Sequence, residues 1–277
     1  MVNLKAHYPM IGGSSSASPR PWIELPQDVT ENILRRLWPV EILENAQKVC
    51  TTWRSVCTEP SLWRVIDIKN SGDDVMCRRV VDRSQGELID INIEYSGTDD
   101  LMHYISERSS RLKRLRLRNC DKISGKGLTA AVKNFPELEE LHILFMPRIT
   151  AEHIKAISIS CPNLKSFTFN KRRYMESPVD DSYALTIAKY MPNLRHLCLF
   201  GNRMSNEGLK AIFNGCPNLD LLDLRRCEHV NLGGDFGSVC SDRVKYLKRP
   251  SDPIDDYELD YIVYAADPYG GPHPVYM

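Results

Sequence analysis

The stretch Leu112-Lys113-Arg114-Leu115-Arg116-Leu117 recurs along the chain with other residues in the gaps, and that recurrence constrains the fold more than any other feature. The spacing L-x-x-L-x-L is matched at Trp63/Ile66/Ile68, Leu88/Ile91/Ile93, Leu112/Leu115/Leu117, Leu138/Leu141/Ile143, Leu164/Phe167/Phe169, Leu194/Leu197/Leu199 and Leu219/Leu222/Leu224. Successive matches lie 25, 24, 26, 26, 30 and 25 residues apart. A period in this range predicts a short strand plus a helix per unit. One such unit cannot bury its apolar face alone, so only stacking makes a core.

The residues between the predicted strands carry helical spacing, as in Leu128, Ala131, Val132 and Phe135. Ser124, Thr150, Asp180 and Ser205 stand where a side-chain oxygen can accept from the free amides of a first turn. Each helix is stopped before a proline, at Pro136, Pro162, Pro192 and Pro217, because proline lacks the amide and restricts the residue before it.

With Cys120 and Cys227 after the strand and C-P-N-L before it, residues 63 to 232 resemble the cysteine-containing class of leucine-rich repeats. The resemblance implies an α/β solenoid with parallel strands on the concave face and helices on the convex face. One unit departs from the pattern: the repeat from Leu164 is longer and carries Lys171-Arg172-Arg173 ahead of Pro178, which predicts a basic loop on one rim.

Lysine plus arginine equals aspartate plus glutamate at 36 each in 277 residues, a balance that favours neither nucleic acid nor an anionic membrane. No segment approaches the roughly twenty apolar residues that a bilayer crossing needs, and a soluble protein is expected. The nine cysteines show no CxxC pair and no zinc spacing with histidine. They read as reduced buried thiols, with no metal and no cofactor expected.

Residues 21 to 62 differ in character from the repeats. Ile42, Ala46, Val49 and Trp53 fall on one side of a helix, and about forty residues in short helices carry many apolar side chains for their number. A unit so small buries a poor fraction of its surface alone, so it must lean on the stack or on another chain. Leu62-Trp63 ends this unit and begins the first strand, which leaves no slack between the two.

The motifs L-P-x-x-V from Leu25, I-L-x-x-L from Ile33, V-C-x-x-W-R from Val49 and E-P-x-L-W from Glu59 resemble an F-box. Ahead of leucine-rich repeats they resemble the F-box/leucine-rich-repeat proteins of plants. The resemblance implies a receptor that binds a Skp-type adaptor, and through it the cullin and RING subunits of a ubiquitin ligase, while the repeats hold a protein substrate. It assigns adaptor contact to Leu25, Pro26, Ile33, Leu34, Leu37, Leu43, Val49, Cys50 and Trp53, although Ile33 and Trp53 also suit the unit's own core. The expected organisation is a flexible lead over 1–20, the F-box over 21–62, about seven repeats over 63–232, an irregular helical cap over 233–249 and an acidic flexible tail over 250–277.

Strand side chains alternate, so residues between the leucines face the concave side. Leu144, Phe200 and Leu221 are apolar there, and with Arg114, Arg116, Asp223 and Arg225 they form the candidate substrate surface. The competing reading is a solvated sheet of mixed charge. No phosphate loop, GxGxxG, HExxH or GxSxG occurs, so catalysis in this chain has no motif behind it. Two function classes remain: a ligase receptor acting inside the cell, in nucleus or cytoplasm, and a free-standing repeat scaffold or inhibitor whose first helices merely cap the stack.

Overall fold

Each apolar triplet becomes a parallel strand because its second and third members point into one continuous core. The computed structural model describes residues 25–69, 73–171 and 178–255. Eight strands form one sheet in chain order: β1 Val65–Ile68, β2 Asp90–Glu94, β3 Arg114–Arg118, β4 Glu140–Leu144, β5 Ser166–Asn170, β6 His196–Cys198, β7 Leu221–Asp223 and β8 Tyr246–Lys248. The register aligns Ile66, Ile91, Leu115, Leu141, Phe167, Leu197, Leu222 and Leu247 side by side, so the repeat of the sequence becomes a stripe across the sheet.

Seven helices return the chain between strands: α4 Asp74–Arg83, α5 Asp99–Arg108, α6 Gly125–Val132, α7 Ala151–Ser160, α8 Ser182–Tyr190, α9 Asn206–Gly215 and α10 Gly234–Arg243. Ser124 and Ser205 cap their helices as the sequence predicts, accepting from Gly127 N and Glu207 N. Asp180 does not occupy the cap before α8. That position belongs to Asp181, while the Asp180 carboxylate accepts from Ser182 N at 3.1 Å.

The carboxylates of Asp99 and Asp181 tie neighbouring repeats together. Asp99 accepts from both the amide and the hydroxyl of Ser124 at 2.7 Å, and Asp181 does the same for Ser205 at 2.7 Å. The repeat cysteines span the stack too: Cys120 Sγ donates to Ile93 O at 3.4 Å and Cys227 Sγ to Leu199 O at 3.0 Å. A thiol fits a slot too small for a longer side chain and still meets a carbonyl of the previous rung. Asn163 and Asn193 of the C-P-N-L and M-P-N-L steps donate to the carbonyls of Pro136 and Pro162, each at 3.2 Å.

Two residues beyond the last apolar position of five of the strands, Tyr95, Asn119, Phe145, Gly201 and Arg226 have φ of 61°, 53°, 58°, 69° and 63°. The turn off these five strands uses the left-handed region, which a bulky side chain such as Phe145 enters only at a cost in strain. The sequence pattern shows seven strands. The eighth, β8, follows α10 and pairs with β7, so the segment expected as an irregular cap is an ordinary helix-strand unit.

At the other end, α1 Gln27–Leu34, α2 Pro39–Glu44 and α3 Thr51–Thr58 form the small helical unit. Its buried residues Leu34, Ile42, Leu43, Ala46, Val56 and Cys57 belong to the same apolar cluster as Ile66, Cys77 and Val80. Leu62 and Trp63 lie in a 3-10 turn, Pro60–Trp63, that feeds β1, and both are buried. Arg83 of α4 donates to Gln47 Oε1 at 3.3 Å, adding a polar clamp to the junction.

The lead over 1–20, the middle of the basic loop (172–177) and all but the first residues of the acidic tail lie outside the described residues. At the edge of that loop, burial pushes the Lys171 amine down to about 8 even though Asp180 lies 3.9 Å away, and its Nζ sits 3.5 Å from the centre of the Tyr183 ring.

Candidate interaction surfaces

Two surfaces follow from this arrangement, one on the helical unit and one on the concave sheet. On the first, Pro26 is exposed and Val49 is 56% exposed, and Val29 and Trp38 are exposed as well at 39% and 49%. Leu25, Ile33 and Cys50 are half-buried. Leu37 and Trp53 are half-buried and pack on the core, and the Trp53 indole N–H has no hydrogen-bond acceptor among the described residues. Leu34 and Leu43 are 0% and 2% exposed, which corrects their assignment to an adaptor contact: a side chain with no accessible surface closes the unit's own interior.

The apolar edge arises from local geometry. Leu25-Pro26 precedes α1, and the Pro26 carbonyl accepts from Thr30 N at 3.0 Å and Thr30 Oγ1 at 3.1 Å, which fixes the entry to the helix. Val49 lies just past the 3-10 turn Ala46–Lys48 and ahead of Cys50, whose Sγ accepts from Trp53 N at 3.4 Å as the cap of α3. Val29 and Trp38 were not singled out by residue type; Val29 is the valine of the L-P-x-x-V motif and so was legible there.

On the concave sheet the candidate residues divide. Arg114 and Arg116 are half-exposed on β3, and Leu144 is half-buried beside them at the end of β4. Phe200, Asp223 and Arg225 are buried, which removes them from a surface role. Arg225 is consumed by Asp223, donating from Nε at 3.1 Å and from Nη2 at 2.8 Å, and by Pro253 O at 3.0 Å. Phe200 N donates to Asn170 Oδ1 at 3.1 Å, and its side chain is enclosed, with 4% of the residue exposed. Leu221 is half-buried on β7.

A concavity of about 300 Å³ lies on β1 to β6, lined by Asp67, Lys69, Asn92, Glu94, Arg116, Arg118, His142, Leu144, Thr168 and Cys198. Only Arg116 and Leu144 of these were candidates from the sequence; the alternation of strand side chains placed the others from β2 onward on this face without singling them out, and Asp67 and Lys69 were missed because the first strand's concave positions were not read out. His142 Nδ1 lies 2.9 Å from Thr168 Oγ1 and Nε2 lies 3.7 Å from Glu140. Burial first, and Arg116 second, hold the His142 pKa below its ordinary value, so the ring is neutral at pH 7. Cys198 is no nucleophile, because burial pushes its thiol up to about 12.

Residues 22–69 match the family described as F-box-like, and residues 190–213 match Leucine Rich repeat. The F-box protein SKIP19 of Arabidopsis thaliana is 47% identical over 246 residues, an alignment that covers 86% of this chain and 80% of that one. This chain belongs to the F-box/leucine-rich-repeat family. Putative F-box/LRR-repeat protein 23 of the same plant is 47% identical, with 91% of this chain and 58% of that protein covered. Putative F-box/LRR-repeat protein 9 is 42% identical, with 80% and 98% covered. The repeat fold is similar to that in the crystal structure of the yeast Rad7 and Elc1 complex, at a TM-score of 0.53 and 14% identity, over 74% of this chain and 56% of that one. In this F-box/leucine-rich-repeat protein no described helix is long and apolar enough to cross a membrane.

Proposed function

We propose that this chain is the substrate-recognition subunit of a Skp-cullin-F-box ubiquitin ligase, with no catalysis of its own. The helical unit meets a Skp-type adaptor, and through it cullin and RING subunits. The concave sheet holds a protein target, and the setting is intracellular, nuclear or cytoplasmic. One observation carries the reading: Pro26, Val29 and Val49 remain exposed on a unit whose interior Leu34 and Leu43 already close. Apolar surface left over after a core is complete is what a partner covers.

The test is capture of the folded chain by a purified Skp-type adaptor, comparing the parent with Leu25→Ala/Pro26→Ala and with Val49→Glu. The parent is captured, the double variant weakly and Val49→Glu not at all. Absence of capture by the folded parent ends the ligase reading, and equal capture of all three ends the contact assignment. A second reading has its own support, since Ile42, Ala46 and Val56 pack into the repeat core and so do cap the stack. A scaffold whose helices serve only that purpose ignores the adaptor.

A further inference from the structure

Lys171 and Arg203 line one cavity of about 210 Å³ at the C-terminal ends of β4 and β5, and its remaining walls are largely Phe145, Met146, Pro147 and Tyr183. Backbone bonds hold both cations in place: Lys171 N donates to Phe200 O at 3.1 Å, and Arg203 O accepts from Asp180 N at 2.9 Å. Lys171 Nζ rests 3.5 Å from the centre of the Tyr183 ring, and its side chain is 21% exposed. Asp180 stands 3.9 Å from that amine, too far for a hydrogen bond, and its carboxylate is engaged by Ser182 N at 3.1 Å and Ser182 Oγ at 2.5 Å. Arg203 is half-buried, and among the described residues its guanidinium makes neither an ion pair nor a hydrogen bond.

Burial pulls the Lys171 amine down to about 8, with Asp180 opposing and Arg203 assisting. At pH 7 about a tenth of it is therefore free base, against roughly one part in a few thousand for an ordinary lysine. A desolvated lysine of this kind is the group that condenses with carbonyl compounds.

We propose that this cavity captures a small 2-oxo acid covalently, Lys171 forming an imine with the keto carbon while Arg203 holds the carboxylate. The Nζ lone pair adds to the carbonyl carbon, a proton passes from nitrogen to oxygen, and the carbinolamine expels water. Amine and ketone become imine and water, so no oxidant or reductant is needed. A guanidinium fork pairs with a carboxylate through two parallel donors, and no described carboxylate occupies this one. Since a water's share of liquid volume is about 30 Å³, the space suits an acid of about six non-hydrogen atoms rather than a peptide segment. The inference stands apart from the ligase reading, because the adaptor edge takes no part in it.

The experiment incubates the full chain at pH 7 with pyruvate, or with propanal as an uncharged control, in the presence of cyanoborohydride. The reagent reduces an imine to a stable secondary amine, and mass spectrometry maps the marked lysines. Pyruvate marks Lys171 at least about tenfold faster than the exposed Lys126, and denaturant removes the preference. Arg203→Gln slows pyruvate at Lys171 by about tenfold and propanal by no more than about threefold, since only pyruvate carries the carboxylate. Marking of Lys171 no faster than Lys126 in the folded parent overturns the proposal, whatever the variant does. Equal slowing of the two probes in an Arg203→Gln protein with the parent's melting temperature overturns it as well. Adaptor capture is unaffected by Arg203→Gln, so failure here leaves the ligase reading standing.

Discussion

Trp63 Nε1 donates to the carbonyl of Cys57 at 3.0 Å, joining the residue that enters the first strand to the end of the last helix of the F-box unit. Trp63 is 1% exposed and shares its core with Ile66 and Cys77 on the repeat side. The two modules therefore unfold together. Trp63→Phe loses the bond and some volume, and Trp63→Ala opens a cavity costing about 3–5 kcal/mol. Urea unfolding followed by helix and sheet signals checks this: a single shared transition is expected in the parent, and separate transitions for the two modules in the parent would refute the coupling.

Leu34 and Val49 come from the same family signature and have opposite roles. Leu34→Ala lowers stability by about 2–5 kcal/mol, since the side chain is fully enclosed. Val49→Ser shifts stability by under about 0.5 kcal/mol yet weakens adaptor capture. Thermal melting beside quantitative capture separates them, and a Val49→Ser protein that melts as early as Leu34→Ala contradicts the division.

His142 has a folded-state pKa below the ordinary 6.5, through burial and then Arg116, with Glu140 opposing. Protonation therefore favours the unfolded chain. Stability is full above that value and falls as pH drops from about 6.5 toward the lowered folded pKa. His142→Gln flattens this part of the profile. Urea midpoints measured from pH 7.5 to 5.5 on both proteins decide it; identical slopes rule the coupling out.

All nine cysteines are free thiols, and all but the half-buried Cys50 and Cys198 are fully buried. Burial lifts Cys57, Cys161 and Cys216 to about 11 and Cys77 and Cys120 to about 12. With dithiobis-nitrobenzoate at pH 8 the folded protein reacts quickly at Cys50 and slowly elsewhere, and all nine react in denaturant. Fast release of more than one thiol from the folded protein is the contrary result.

Asp99 and Ser124 act as one unit between two repeats. Ser124→Ala costs about 1 kcal/mol as a lost cap, and Asp99→Ala a similar amount. The double variant costs less than the two together, because either change already removes the shared bonds. A double-mutant cycle by chemical denaturation gives the coupling, and strict additivity dismisses it.

The first seven strand positions and the C-P-N-L stops were legible because an apolar triplet at fixed spacing has only one way to meet its copies. Residue type likewise marked the F-box signature, down to Leu25-Pro26 and Val49. What sequence could not sort was which members of a signature face inward. Leu34 and Leu43 differ from Val49 only in where three short helices happen to turn. The pairing Tyr246–Lys248 escaped the pattern because its unit lacks the full leucine triplet, and β7 supplies the ladder that makes it a strand. On the concave face, composition offered seven candidates of equal standing. Packing enclosed Phe200, locked Arg225 on Asp223, and left Arg114 and Arg116 to share a single buried Asp90. The chain alone thus determined the ladder and its attached helical unit, since periodicity is a local property; which side chains stay exposed depends on distances across strands about twenty-five residues apart, and only the folded sheet decides those.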